Sequence, residues 1–405
     1  MTTVSVHELD LPDIDVVGLE RAEALEAIAA AADVHWLART PMGVMVTHHD
    51  AAVGVLRERR FISALSLIPQ MAGIDASDYL SDRRPSILGM EGAEHARLRR
   101  LVAPAFTPGA VDRHRPVMRA VMTELVDAVA AAGRCDVVTD LCEPYPIPII
   151  CEVLGAPKAD WQQFSAWATD IFRIFNQDLA ADLPAIERAS RELEVYVRAM
   201  VDARRSAPAD DLLSALIAAE EAGDRLDTDE LVMLAEAVLM AGTDTTRNQL
   251  ACCLAVFAEF PDQWARLGTE PELAASAVEE CMRYLGAVRA TIRVAAEDVV
   301  YRDVLIPAGT LVAVGLAGAN RDGDVWGDPN RFDITRDRSG LQLTFGSGIH
   351  HCLGAALARA ELQEALVILA GRLPHLALDE PVRWKPPTFG IWGPERLMVR
   401  FGASA

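Results

Sequence analysis

Apolar residues recur at helical spacing from near Asp50 to about Tyr284, and then give way to shorter runs rich in Val, Ile and Thr. Ahead of that stretch, Val34 to Val46 sets apolar residues on either side of Thr40-Pro41-Met42-Gly43, a turn-forming set that predicts a hairpin. Breakers and caps place the helices at Ala93 to Val102, Val111 to Ala132, Asp160 to Phe175 and Leu183 to Ala207. A long helix from Asp227 to Phe260 ends at Pro261, and another runs from Pro271 to Tyr284. The Val, Ile and Thr runs from Ala290 to Val314, with the turn Pro307-Ala308-Gly309, predict short strands. A last long helix follows Cys352 to about Leu373, and Pro374 to Phe401 reads as a strand-rich tail. The segment Phe61 to Glu91, with Pro69, Gly73, Pro85 and Gly89, is too long for a simple connection and reads as a binding loop or lid. The pattern as a whole predicts a mainly α protein with small β-sheets.

Composition narrows this picture. A length of 405 residues allows two or three domains, yet no linker or low-complexity stretch divides the chain, so one domain over 1–405 is expected. Hydrophobic residues make up 51% and aromatics only 6%, which implies a large core of Ala, Leu and Val. Glu8, Asp10, Asp13 and Asp15 leave no long apolar run near the start, so neither signal peptide nor membrane anchor is expected and the protein is read as cytoplasmic. A net charge of −21 disfavours nucleic-acid binding. One stretch runs against it: His95, Arg97, Arg99, Arg100, Arg113, His114 and Arg115 form either a solvated face or a docking surface for an acidic electron donor.

The chain has seven cysteines, none in a CxxC pair, so neither a structural zinc site nor a disulfide framework is expected. Most cysteines in such a protein are small buried hydrophobes. Cys352 differs, because Phe345-Gly346-Ser347-Gly348-Ile349-His350-His351-Cys352-Leu353-Gly354 sets it on a glycine-punctuated loop just before a helix. The glycines permit tight turns and close approach to a flat group, and helix amides stabilise a negative sulfur, so the arrangement suits a thiolate metal ligand. A second irregularity is Ala241-Gly242-Thr243-Asp244-Thr245-Thr246, within an otherwise apolar helix. Gly, Asp and Thr are poor helix-interior residues, and such local failures point to a functional site. Small side chains at 241 and 242 admit a flat ligand, Thr hydroxyls bonding back one turn loosen the helix, and an acid beside an alcohol can relay protons. Taken alone, Glu280 and Arg283 read as an ordinary i,i+3 surface pair.

Together these segments resemble the cytochrome P450 family: the Cys352 loop, the Asp244-Thr245 pair, the Glu280-x-x-Arg283 pair and His95-x-x-x-Arg99 occur in the family's order. The resemblance implies a P450-like haem-thiolate fold holding haem b, iron protoporphyrin IX. It makes Cys352 the axial thiolate, within a loop that includes Phe345 and Gly354, and sets Ala241 and Gly242 along the cofactor. Asp244 and Thr245 would deliver protons to the oxygen being activated. Glu280 and Arg283 would form a buried structural triad with Arg331. His95, Arg99, Arg293 and His350 would pair with the haem propionates.

The activity implied is monooxygenation of a lipophilic small molecule resembling a sterol, terpenoid or fatty acid, with electrons from NAD(P)H through ferredoxin and ferredoxin reductase. Family substrate positions fall at Ile87, Leu88, Val238, Ala241, Val288, Thr291 and Ile391, and in the tail near Phe389 to Trp392. Ile62, Leu65, Ile68 and Met71 add to an apolar lining. Arg289 either points outward by strand alternation or points inward and holds a substrate carboxylate or ketone. A peroxide-driven haem enzyme and a non-enzymatic haem sensor or binding module are the alternative functions.

Overall fold

The structure is a computed structural model that describes residues 3–16, 18–71, 73–74, 86–176, 178–222, 226–337, 340–386 and 390–402. Pro85 and Phe389, both placed in functional segments above, lie outside the described residues.

Helices dominate, and small sheets lie beside them. The expected hairpin forms from Leu37–Thr40 and Gly43–Val46, with Leu37 opposite Val46. It is one side of a five-stranded sheet in which Gly43–Val46 pairs in parallel with Leu311–Val314. Thr291–Ala295 and Phe61–Ser63 complete the sheet, both antiparallel to their neighbours. One apolar core lies under this sheet, and a larger one joins the helices. Short strands elsewhere tie the ends of the chain to its middle: Val4–Ser5 pairs with Val304–Ile306, and Met398–Arg400 lies between Ala377–Leu378 and Arg134–Asp136.

Several predicted helices divide where backbone chemistry demands it. The run Val111 to Ala132 is two helices, Pro108–Asp112 and Arg115–Ala130, with Pro116 in the first turn of the second. The long helix expected from Asp227 to Phe260 is also two, Thr228–Ala241 and Asp244–Glu259. The first opens with a full capping box between Asp227 and Glu230. It stops at Gly242, where a Cβ would lie 2.5 Å from Ile150, so only glycine lets the chain pass the helix Pro146–Leu154. The Thr243 hydroxyl donates to the Met240 carbonyl at 2.7 Å and the Thr245 hydroxyl to Ala241 at 2.9 Å, so the broken turn keeps its acceptors occupied. An Ala-rich helix, Arg21–Ala32, was not anticipated.

The Glu280–Arg283 pair is fully buried, contrary to its reading as a surface pair in isolation, with side chains 3% and 1% exposed. Arg283 donates to both Glu280 oxygens at 2.8 Å and to the carbonyls of Asn320, Pro329 and Arg331. The third basic member is Arg336, whose Nε lies 3.1 and 3.2 Å from the two Glu280 oxygens. Arg331, expected in that place, turns its side chain to Asp333 and is 66% exposed; it reaches the cluster only through its carbonyl. The turn through Asp328 explains the shift, since it directs the Arg331 carbonyl inward and brings Arg336 back over the carboxylate.

Removing Arg336 strips a buried carboxylate of one charged partner. We expect Arg336→Ala to cost about 2 kcal/mol or more of stability and Arg331→Ala to cost less than about 0.5 kcal/mol, read as shifts of the unfolding midpoint. Equal shifts would assign the third place to Arg331 after all.

Candidate active site around the Cys352 loop

The loop's hydrogen bonds fold it back on itself: Gly346 N–H donates to Leu343 O at 2.7 Å, and Cys352 N–H to Phe345 O at 2.9 Å. Gly348 has φ +73°, and a Cβ there would lie 2.1 Å from the Leu56 carbonyl oxygen, so both conformation and closeness require glycine. The helix Ala355–Arg372 starts three residues after Cys352. Arg359 on that helix stacks over the Phe345 ring at 4.5 Å, which fixes the aromatic start of the loop.

Cys352 is the one exposed cysteine; the other six are buried, as expected of small hydrophobes. Protein crowds it nonetheless, and this desolvation raises its thiol pKa, against the Gly354 N–H and the charges of Arg99 and Arg359. Accessible surface at a desolvated position is what a residue facing a narrow recess has. The central helices show the same combination. From Glu230 to Met240 all but Ala237 are buried, whereas Ala241 is exposed and Gly242 and Thr245 are partly so.

Cations gather beside the loop. Arg99 donates to the His351 carbonyl. His95 is buried, with its ring 4.7 Å from that of His350. Burial lowers the pKa of Arg99, of His95 and of His350, and His350 also feels Arg293 and Arg99 as like charges. Arg293, 5% exposed, donates to the Thr291 hydroxyl at 3.0 Å and the Ile292 carbonyl at 3.1 Å, and burial lowers its pKa as well. Among the described residues the single carboxylate that reaches this group is Glu91, which accepts from His350 at 2.9 Å and from Ser63 N–H at 2.6 Å. Two desolvated guanidiniums short of carboxylates, with two imidazoles that can donate to an anion, suit a ligand that brings its own carboxylates, as the two propionates of haem do. Cys352, these cations and the accessible turn at Ala241 and Gly242 therefore fit a haem.

Asp244 is buried against Arg247, although no hydrogen bond of good geometry reaches its Oδ1. Arg247 also approaches Glu143 at 3.7 Å and donates to the Thr169 hydroxyl. Asn248 donates to the Asp244 carbonyl and accepts from Lys385 at 2.8 Å. The acid beside Thr245 thus belongs to a polar string that leaves the helix interior.

The expected substrate positions divide. Val238 is buried in the main core, where Ile87 and Ile391 also pack, whereas Val288 packs against the sheet core. An isolated bridge pairs Val288 with Ile391. Leu88 is 50% exposed, with its carbonyl held by the Ser63 hydroxyl. Thr291 spends its hydroxyl on Arg293. Arg289 turns over the Trp392 ring at 5.0 Å and is desolvated, not directed outward to solvent. The basic stretch is largely neutralised: Arg97 pairs with Glu230, Arg113 with Asp210, and Arg115 with Asp112 and Glu364. Two surface clefts of about 360 and 370 Å³ border the Glu280 cluster, and their charged linings do not suit an apolar substrate.

Four residues of consequence were missed: Glu91, Arg247, Arg336 and Glu361. For Glu91, Arg336 and Glu361 the signals are contacts across the fold, which sequence spacing does not carry; Arg247 stands at i,i+3 from Asp244, a spacing the sequence shows. Glu361 is 1% exposed, and burial pushes its carboxyl up to about 8, against a hydrogen bond from Thr246 on the central helix. A carboxyl raised in the fold keeps its proton where the unfolded chain has lost it, so stability falls as pH rises from about 4.5 towards 8. Glu361→Gln should therefore raise the unfolding temperature more at pH 8 than at pH 5; an equal rise at both would mean that Glu361 titrates normally.

Comparison with known proteins agrees with this geometry. Residues 35–375 match the family model Cytochrome P450. The chain is 35% identical to the luteothin monooxygenase of Streptomyces thioluteus over 98% of its own length and 97% of that protein's. It is 37% identical to the mycinamicin IV hydroxylase/epoxidase of Micromonospora griseorubida, over 88% of each. Among solved structures, the myxobacterial cytochrome P450 CYP267B1 with myristic acid superposes with a TM-score of 0.84 at 33% identity, covering 95% of this chain and 98% of that one. From the match across most of its length and the shared fold, the chain belongs to the cytochrome P450 family and is a haem-thiolate monooxygenase.

Proposed function

We propose that this protein binds haem b and inserts one atom of O2 into a lipophilic substrate, with electrons from NAD(P)H delivered by a ferredoxin and its reductase. The observation that carries the reading is the placing of one accessible cysteine, Cys352, beside desolvated cations in an otherwise apolar interior. When bound, haem supplies reductive activation of O2.

The chain's residues supply the setting. Cys352 is the thiolate ligand, and the Gly354 N–H and Arg99 favour its charged form. His95, Arg99, Arg293 and His350 hold the propionates. Thr245 keeps its hydroxyl on the Ala241 carbonyl, from which it can turn to present a proton. Asp244 stands next to it, tied to Arg247, so proton supply requires that pair to part. Ala241, Val238, Ile87, Leu88, Val288, Thr291 and Ile391 line the substrate's path, and their apolar majority sets its chemical class. The name of the vitamin D(3) 25-hydroxylase of Pseudonocardia autotrophica, 40% identical over 73% of this chain, supports a lipophilic substrate.

No helix among the described residues is long and apolar enough to cross a membrane, which fits a cytoplasmic enzyme served by a ferredoxin. Arg100 is exposed, without a carboxylate partner among the described residues, and is the cation best placed to meet an acidic donor.

Two measurements test this. The reduced, CO-bound protein should show the red-shifted Soret band of a thiolate-ligated haem, and Cys352→Ser should lose it; an unchanged band in the variant rejects the ligand assignment. Thr245→Ala should lower product formed per electron about tenfold or more, with the difference appearing as peroxide. Unchanged coupling would remove Thr245 from the proton route and reopen the peroxide-driven reading.

A further inference from the structure

Trp384 and Trp392 stack with ring centroids 4.5 Å apart and planes 6° from parallel. Trp392 is firmly held: its backbone N–H donates to Ala287 O and its indole N–H to Lys385 O, both at 2.9 Å. An arginine covers each indole. The Arg289 guanidinium carbon lies 5.0 Å from the Trp392 ring, and that of Arg21 lies 5.9 Å from Trp384. Arg21 is the first residue of the Arg21–Ala32 helix, whereas Arg289 stands just ahead of the Thr291–Ala295 strand, so distant segments meet here.

Neither guanidinium has a hydrogen bond or ion pair to a carboxylate among the described residues, in a chain where Asp and Glu total 59 against 38 Lys and Arg. Nη1 of Arg21 is buried and has no hydrogen-bond partner among the described residues. Arg289 is desolvated, and the like charge of Arg21 depresses its pKa further. Contact with a ring face satisfies the guanidinium plane but leaves the in-plane N–H donors without acceptors. Lys385 supplies no counter-charge either, being a cation and a donor only, with its ammonium on Asn248. Cys252 is close, but burial raises its thiol pKa far enough to keep it neutral. Two like charges and a buried orphan donor lack an anion.

We propose that Arg21 and Arg289 form an anion subsite that takes the carboxylate of an amphiphilic organic ligand. A carboxylate fits because its two oxygens match a guanidinium fork and can bridge two forks. The hydrocarbon part follows from the surroundings, two indoles and the bridged Val288–Ile391 pair one residue away. That the ligand is the enzyme's substrate rests on placing Val288 and Ile391 along the substrate path; the subsite itself does not.

The test is calorimetric titration of the full-length, haem-loaded protein with decanoate, decanol and inorganic phosphate. Decanoate should bind, with decanol and phosphate each weaker by about tenfold or more. Arg289→Gln and Arg21→Gln should each weaken decanoate by a similar factor and leave decanol unchanged, with circular dichroism checking the fold. Arg289→Lys, which keeps the charge and loses the fork, should fall between, and it replaces Arg289→Gln if that variant does not fold. No decanoate binding, decanol equal to decanoate, phosphate equal to decanoate, or folded variants that bind decanoate like the parent would each overturn the subsite. Because heat is measured and not turnover or the Soret band, such a failure leaves the oxygenase reading standing, and the CO spectrum judges that reading separately.

Discussion

The buried Glu280–Arg283 ion pair is the interaction from which the active-site loop takes its position. Arg283 reaches the Asn320 carbonyl, and the Asn320 side chain in turn accepts from Leu343 N–H at 2.7 Å and donates to the Thr344 hydroxyl at 3.1 Å. Thr344 donates to the Met282 carbonyl, beside Arg283 itself. Leu343 then accepts from Gly346, where the cysteine loop begins. A short path of buried hydrogen bonds therefore runs from the ion pair to the residues ahead of Cys352. Buried charges hold such a path rigid because any partial opening leaves a charge desolvated and unpaired.

The same economy of charge governs the site in the opposite sense. At Glu280, Arg283 and Arg336 meet carboxylate and carbonyl acceptors, whereas beside Cys352 the guanidiniums of Arg99 and Arg293 and the imidazoles of His95 and His350 share, among the described residues, little more than Glu91. The protein is strongly acidic as a whole, and elsewhere it neutralises its arginines readily, as Arg97 with Glu230 and Arg115 with Glu364 show. Desolvated arginine without a carboxylate also occurs at Arg321, which bonds Asn330 and the Tyr284 carbonyl instead; beside Cys352 such charge stands where a ligand can supply the balance.

Much of this was legible in the chain. Glycines at required turns, an acid in an apolar helix and a cysteine among histidines break local rules, and such breaks are visible without a fold. Most helices and the strands of the 34–46 hairpin, of 290–314 and of the tail followed from periodicity and breakers, whereas Val4–Ser5, Phe61–Ser63 and Arg134–Asp136 were not read as strands. What escaped was whatever depends on distance in space. The Arg331 side chain was assigned to a place that Arg336 fills, because the turn through Asp328 reverses the chain between them. Arg97, Arg113 and Arg115 read as a basic surface because their acidic partners come from remote segments. The Arg21–Ala32 helix was missed since its alanines give little contrast between faces. Glu361 was missed as one acid among several on a mixed helix.

The division of the central helix at Gly242 and Thr243 has an electrostatic consequence. One continuous helix would carry its dipole ends to the surface; two helices place a new C-terminus and a new N-terminus back to back in the interior. The N-terminal end of Asp244–Glu259 carries a partial positive charge of about half a proton, directed at the accessible turn formed by Ala241, Gly242 and Thr245. Asp244, in the first turn, offsets part of it. The partial negative charge at the end of Thr228–Ala241 opposes it too, so the break leaves a local dipole of helix-end peptide groups at this turn, not a net positive potential.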